Sequence, residues 1–367
     1  MKRAALLLVL LGFVYFFCPQ LAFPFSFALV IGPPNSDRWK LLSQKDWSPG
    51  GDVKFTLEDL GKYRFRSFLI YVSLPFNKSG AASFGTLATE VPFNAIRYVT
   101  WQDKLNVKRI PARLLRQISH LMYRGVDTQY TAPTATNGLQ TPSFSLLVDN
   151  EYYGTDAPDI SILDLARAGE NAALVLTCGT VEDLIAGGDY TTKTFTVAGA
   201  ISIYGQIEES RELRAFPFSN FHYEYIEKSV NSNPQAEYKV PIPIDQDVRF
   251  IFFGQSTRTP DTLISTLVAA ANNVRVDVND EPRYGPITFQ ELTRRNQADY
   301  LVAFNTGYGV VDFTKNKAKK KLSLLVPDQN DPDRIKTCNL VVQTSSVASA
   351  YLDVLVASIR GPIVQVR

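Results

Sequence analysis

The chain has 367 residues, 45% of them hydrophobic and 20% charged, a globular composition that excludes a disordered or fibrous polymer and leaves room for two domains. Lys and Arg number 38 against 36 Asp and Glu, so no protein-wide positive field exists to hold a polyanion, and sequence-specific nucleic-acid binding is not expected. Cys18, Cys178 and Cys338 are odd in number and far apart, which excludes a disulfide framework and a CxxC metal knuckle and leaves reduced, mostly buried thiols.

Lys2 and Arg3 precede an uncharged apolar run from Ala4 to Cys18, and a second apolar stretch runs from Leu21 to Ile31. The first run has the look of a secretory signal and is shorter than the ~20 residues of a spanning helix. Gln20 stands two residues before Ala22, where a signal peptidase site prefers a small residue. Three readings stay open on composition: a cleaved signal, an uncleaved lipid anchor, and an arm packed on neighbouring subunits. On hydrophobicity alone the membrane-proximal candidates are Leu6, Leu7, Leu8, Val9, Leu10, Leu11, Phe13, Val14, Phe16 and Phe17. Residues 1–47 are set apart as this arm or membrane-proximal segment.

From Ser48 the texture changes to short runs of Val, Ile, Phe, Tyr and Thr punctuated by Gly, Pro, Asn and Asp, an all-β signature. Phe55 and Leu57 alternate with polar neighbours, Phe65 to Phe76 reads as a long strand, and FNAIRYVTW after Pro92 reads as another. ARLLRQISHLMY then places Leu114, Leu115, Ile118, Leu121 and Met122 on one helical stripe. PSFSLLV, AALVLTCG and FTVAGAISIYGQI resume as strands.

From Arg211 a similar order begins again. YKVPIPI and VRFIFFG read as strands, and LISTLVAAA and VRVDV read as the counterparts of AIRYVTW and LNVKRI. ITFQELTRRNQ is the counterpart of the first helix, followed by YLVAFN, VVDFT, KLSLLVP and SAYLDVLVASIRG. Architecture repeats while residue identity does not. The expected domains are 48–210 and 211–367, two packed β-sandwiches with short helices in loops.

On FLIYVSLPF, on Val91-Pro92-Phe93 leading into NAIRYVTWQDKLNVKRIPARLLRQISHL, on ISILDLARAGENAALVLTCGTVEDLI and on LTRRNQADYLVAFNTGYGVVDFT, the chain resembles the double jelly-roll major capsid proteins of tailless icosahedral viruses. The resemblance spans about Asp52 to Pro362 and rests on hydrophobic pattern and turn chemistry, without a catalytic signature. It implies an all-β fold of two consecutive eight-stranded jelly-roll sandwiches and no enzymatic activity. It further implies homotrimeric, near-hexagonal capsomers in an icosahedral lattice, with penton and minor capsid proteins as partners. The subunits would stay in the host cytoplasm before assembly and in the virion afterwards, with the apolar amino terminus under the shell against an internal membrane or neighbouring bases.

Little chemistry competes with this. His120 lies on the helical stretch and His222 in a Phe/Tyr-rich segment, both read as packing or surface residues, and HExxH, GxSxG and Walker spacings are missing. No catalytic, cofactor or metal residues are assigned. Asp328, Asn330, Asp331 and Asp333, and Asp277, Asn279, Asp280 and Glu281, group oxygens that could hold Ca²⁺, yet Asp and Asn are also ordinary turn formers and neither group has EF-hand spacing. Lys315, Lys317, Lys319, Lys320 and Lys321 are the dense basic patch, read either as protection of an exposed strand edge or as a face for anionic lipid or genome. Asn77-Lys78-Ser79 is a glycosylation sequon that matters only on export. The rival reading is a secreted or anchored jelly-roll carbohydrate-binding protein that uses an aromatic such as Trp101, although Trp101 alternates as a core residue. A glycan hydrolase would need an acidic pair that the sequence does not identify.

Overall fold

The computed structural model describes residues 38–57, 63–78, 86–87, 92–102, 107–122, 131, 138–149, 163–164, 172–186, 193–194, 199–209, 220–230, 237–256, 273–302, 307–314, 321–326, 330–331, 334–343 and 350–360. The membrane-proximal candidates and Cys18 lie outside them.

In the first half the strands are β1 (Arg38–Asp46), β2 (Asp52–Thr56), β3 (Tyr63–Ser73), β4 (Phe76–Lys78), β5 (Thr86–Leu87), β6 (Ile96–Gln102), β7 (Val107–Pro111), β8 (Gly138–Gln140), β9 (Ser143–Asp149), β10 (Leu163–Asp164), β11 (Ala173–Cys178), β12 (Ile185–Ala186), β13 (Lys193–Thr194) and β14 (Ala200–Glu209). Helix α1 (Ala112–Met122) follows β7, and the single turn α2 (Val181–Leu184) follows β11. One antiparallel sheet runs β1-β14-β3, with β9 and β10 sharing the far edge of β3. The facing sheet runs β2-β11-β6-β7. Alternation explains β2: Val53 and Phe55 are buried while Asp52, Lys54 and Thr56 are exposed, the period of two that one buried face demands. The short sheets β13-β4-β8 and β12-β5 are built from connections between the main strands.

The second half contains β15 (Asn220–Val230), β16 (Glu237–Pro241), β17 (Asp247–Ser256), β18 (Asn273–Val278), β19 (Glu281–Thr288), β20 (Tyr308–Asp312), β21 (Leu322–Ser323), β22 (Cys338–Gln343) and β23 (Ala350–Arg360), with α3 (Phe289–Tyr300) after β19. Its sheets run β15-β23-β17-β20, with β21 also on β17, and β16-β22-β18-β19. Strand for strand this repeats the first half. In each, eight principal strands wind through two facing sheets, the last strand inserts beside the first, and the helix follows the fifth. This is a jelly-roll winding, twice, and the expected all-β class holds.

Local chemistry fixes the details. Thr288 caps α3, its side chain accepting from the Glu291 amide at 3.2 Å while Glu291 Oε2 accepts from the Thr288 amide at 3.0 Å. Asn279 and Asp280 at φ 51° and 62° form the two-residue hairpin between β18 and β19. Gly179 is a close approach, because a Cβ there would strike the Asn94 carbonyl. Beside it Asp183, fully buried, accepts from Arg97 Nε and Nη2 at 2.7 and 2.8 Å and from the Thr180 amide at 2.7 Å.

Three differences from the sequence reading stand out. Residues 38–46 were placed with the apolar arm, yet β1 pairs with β14 along its length and belongs to the first sandwich. Its charges suit an edge strand, where one side of the ladder faces water. VRVDV is β18, which occupies the sheet position of AIRYVTW, while the counterpart of LNVKRI is β19. LISTLVAAA lies outside the described residues. Strands β15, β19 and β22 belong to the second sandwich and were not read as strands from sequence.

Candidate functional site

For a chain whose expected work is done by surfaces, the informative site is where the two sandwiches meet. Strands β17 and β23 are buried on both faces. Val248, Ile251 and Phe253 of β17 and Leu352, Val354 and Val356 of β23 point into the second core. Phe250, Phe252, Leu355 and Ala357 point the other way, into a cluster shared with the first sandwich. Near-continuous apolar runs are what two-faced burial requires.

The first sandwich meets this face with α1 and the β6–β7 edge. Along α1, Ala112, Leu114, Leu115 and Ile118 join the shared cluster, so the helix lies between two sheets. Tyr98 of β6 packs against Tyr225 of β15 with ring centroids 5.9 Å apart, and Arg109 of β7 lies over the Tyr98 ring at 3.7 Å. A buried carboxylate at the contact is paired. Asp353, 1% exposed, accepts from Tyr225 Oη at 2.6 Å and from Ser256 Oγ, and its Oδ2 stands 3.9 Å from Arg113 Nε of α1.

The equivalent face of the first sandwich has no helix packed over it among the described residues. Register aligns Leu41, Tyr204, Leu69 and Leu147 in one row across β1, β14, β3 and β9. The matching row of the second sandwich is Tyr225, Leu355, Phe252 and Val310, which α1 and β7 help to bury. Trp39, Leu41 and Tyr71 are 49%, 47% and 38% exposed, and they are three of the six exposed large hydrophobics among the described residues. The counterpart of α1 is also open. Gln290, Arg294, Arg295 and Gln297 of α3 are exposed, and Leu301 just beyond it is 77% exposed.

The outer face of β16-β22-β18 is polar. Arg275 reaches Glu237 at 2.7 and 2.9 Å and Asp277 at 3.0 Å. Hydrogen bonding to Arg275 holds the Glu237 carboxyl below its usual range, and its two carboxylates raise the guanidinium further.

The residues singled out from sequence fall as follows. Asp277 binds Arg275, Asn279 Oδ1 accepts the Lys336 and Thr337 amides, Asp280 lies 3.8 Å from Lys239, and Glu281 lies 3.2 Å from Arg283, so these oxygens serve a hairpin. Of the other oxygen group, Asn330 and Asp331 are exposed, while Asp328 and Asp333 lie outside the described residues. Lys321 bonds Asp247 at 2.6 Å, and Lys315, Lys317, Lys319 and Lys320 also lie outside. His120 is half-buried on α1. Trp101 is 9% exposed and stacks on Phe68 at 5.9 Å, a core position. Burial pushes the Cys178 thiol up to about 11 and the Cys338 thiol up to about 12.

Sequence reasoning did not find the contact between the sandwiches. The signal for it was present in VRFIFFG and YLDVLVASI, runs too continuously apolar for sheets with one wet face.

Among solved structures, the crystal structure of the STIV MCP matches with a TM-score of 0.64 and 14% identity, over 89% of this chain and 97% of that one. A chain of the PBCV-1 virus capsid matches at 0.55 and 11% identity, over 91% and 97%. The major capsid protein P2 from bacteriophage PM2 matches at 0.51 and 11% identity, over 89% and 99%. The fold is that of the double jelly-roll major capsid proteins. No family model and no curated protein matches the chain by sequence. At such identities the shared property is the double jelly roll itself, covering nearly the whole length of each capsid protein.

Proposed function

We propose that this chain is a major capsid protein that assembles as homotrimers into an icosahedral shell, working through interfaces rather than catalysis. The observation that carries the reading is the end-to-end correspondence with capsid proteins, both rolls included, over 97% of the STIV MCP. The chain works in the virion, is held in the host cytoplasm before assembly, and meets penton and minor capsid proteins at the lattice vertices. The domains are an apolar segment, a first roll that takes in β1, and a second roll beginning after β14.

The apolar segment with Leu6 to Phe17 belongs under the shell, facing an internal membrane. In support, Arg38, to which that segment leads, starts β1 opposite Ile207, at the end of the first roll away from the β4, β8 and β13 connections. Lys315, Lys317, Lys319 and Lys320 add a basic patch for anionic lipid or genome, with Lys321 engaged by Asp247.

Negative-stain microscopy and peptide mapping of particles from the native source test the reading. Icosahedral particles with this chain as their most abundant protein are the expected result. Particles that lack it overturn the proposal.

A further inference from the structure

We propose that the end of the chain at which both rolls begin rests in the headgroup layer of a lipid bilayer, with Ile244, Leu325 and Trp39 dipping into it. This inference rests on the membrane-facing reading of the apolar segment above, and adds a contact made by the folded rolls themselves.

Strand pairing locates that end in each roll. In the first, β1 enters at Arg38 opposite Ile207, near the end of β14. In the second, β15 enters at Asn220 opposite Arg360, and β17 opens at Asp247 opposite Ile359. The rolls stand the same way up, because Tyr98 meets Tyr225 and, farther from the entry end of each roll, Arg113 meets Asp353. Three of the six exposed large hydrophobics among the described residues stand at this end. Trp39 is the second residue of β1 and 49% exposed, while Ile244 at 36% and Leu325 at 43% lie in the connections after β16 and β21.

The second-roll pair is held in place by the main chain around it. The Asp245 amide donates to Leu324 O at 2.9 Å, the Leu324 amide donates to Gln246 O at 2.9 Å, and the Val326 amide donates to Asp245 Oδ1 at 3.1 Å. Behind them Gln246 is wholly buried, donating to Pro243 O at 2.9 Å and accepting from Ser358 Oγ at 2.7 Å. These bonds satisfy polar groups that carry a desolvation cost on leaving water, and the two aliphatic side chains are left exposed.

The path of the chain selects lipid as the occupant. The apolar runs from Ala4 to Cys18 and from Leu21 to Ile31 precede β1, so they lead into the first roll at this end. Tryptophan favours the bilayer interface, where its ring meets acyl chains while its N–H stays near water. Exposed Lys40 and Lys336 are offset by exposed Asp245 and Asp331, so apolar insertion rather than attraction to anionic lipid sets the contact.

The test uses the full chain, reconstituted from detergent into phosphatidylcholine vesicles and recovered by flotation. Trp47 and Trp101 are buried at 4% and 9% exposure, so quenching by lipid brominated near the headgroup reads Trp39. Emission is expected to fall on brominated vesicles, and Trp39→Phe is expected to float and to lose that quenching. Trp39→Phe with Leu325→Trp is expected to regain it. Flotation is expected to be the same with and without anionic lipid and at high salt. A floating chain in which either probe stays unquenched overturns the contact by the rolls and leaves the apolar segment as the lipid contact. Flotation that requires anionic lipid overturns it as well and moves the contact to the lysines. A wild-type chain that does not float overturns this inference together with the membrane-facing reading.

Discussion

Arg113 of the first roll and Asp353 of the second form an ion pair, Nε to Oδ2 at 3.9 Å, with both side chains almost wholly buried at 7% and 1% exposure. Tyr225 and Ser256 also donate to the Asp353 carboxylate, so the charge is enclosed by groups from two strands and a helix. A paired buried charge adds little net stability over an apolar replacement, but removing one partner leaves the other buried without its compensating charge.

Asp353→Ala therefore takes a buried carboxylate from Arg113, Tyr225 and Ser256 and is expected to lower stability by about 3–5 kcal/mol, read from urea unfolding. Arg113→Met with Asp353→Leu removes both charges and is expected to cost less than the single change. A double variant as unstable as Asp353→Ala would show that packing, not the charge, sets the loss.

Gly179 is the next sensitive point. Its missing Cβ leaves room for the Asn94 carbonyl, and its amide donates to Ala95 O at 2.9 Å. Gly179→Ala must push that backbone away, which strains the Arg97–Asp183 lock beside it. A loss of about 1–3 kcal/mol is expected from such overpacking. A melting temperature equal to wild type would show that the loop yields freely.

Gln255 is wholly buried on β17, and neither its Nε2 nor its Oε1 has a hydrogen-bond partner. Each unmet group retains its desolvation cost. Gln255→Met, similar in size, is expected to stabilise the chain by about 1 kcal/mol in thermal or urea melts. Destabilisation would refute the assignment of an unmet polar side chain.

The thiols give a pH dependence with a definite sign. Burial favours the neutral form of Cys178 and Cys338, whose values rise from 9.0 to about 11 and about 12. Stability from these groups is full below the unfolded value near 9 and is lost as pH climbs through about 11 to 12. Iodoacetamide at pH 8 should leave both unmodified in the native chain and label both in urea, as mass spectrometry of the peptides will show. Rapid native labelling of either contradicts its burial.

Much of this architecture was legible because pattern and punctuation are local. Strand β2 alternates visibly, α1 shows its stripe, and the Asn279-Asp280 pair marks a hairpin. β1 and β15 were missed for a shared reason. Each is the first strand of its roll and lies at a sheet edge, and RWKLLSQKD and NFHYEYIEKSV carry charges that blur the alternation. Strand β22 was missed as a short apolar run, Leu340 to Val342, flanked by Asn339 and Gln343.

The sequence by itself determined the all-β class, the repeat of strands and helices, and the missing enzymatic motifs, since periods of two and turn residues act over a few positions. Only the tertiary structure decided which sheet faces are covered. Leu69 and Phe252 are both apolar residues within apolar runs, yet Phe252 is closed over by the first roll while Leu69 is half-buried in a row whose Leu41 is 47% exposed. That difference depends on where α1 and β7 come to rest against residues more than a hundred positions away, a contact that no local pattern records.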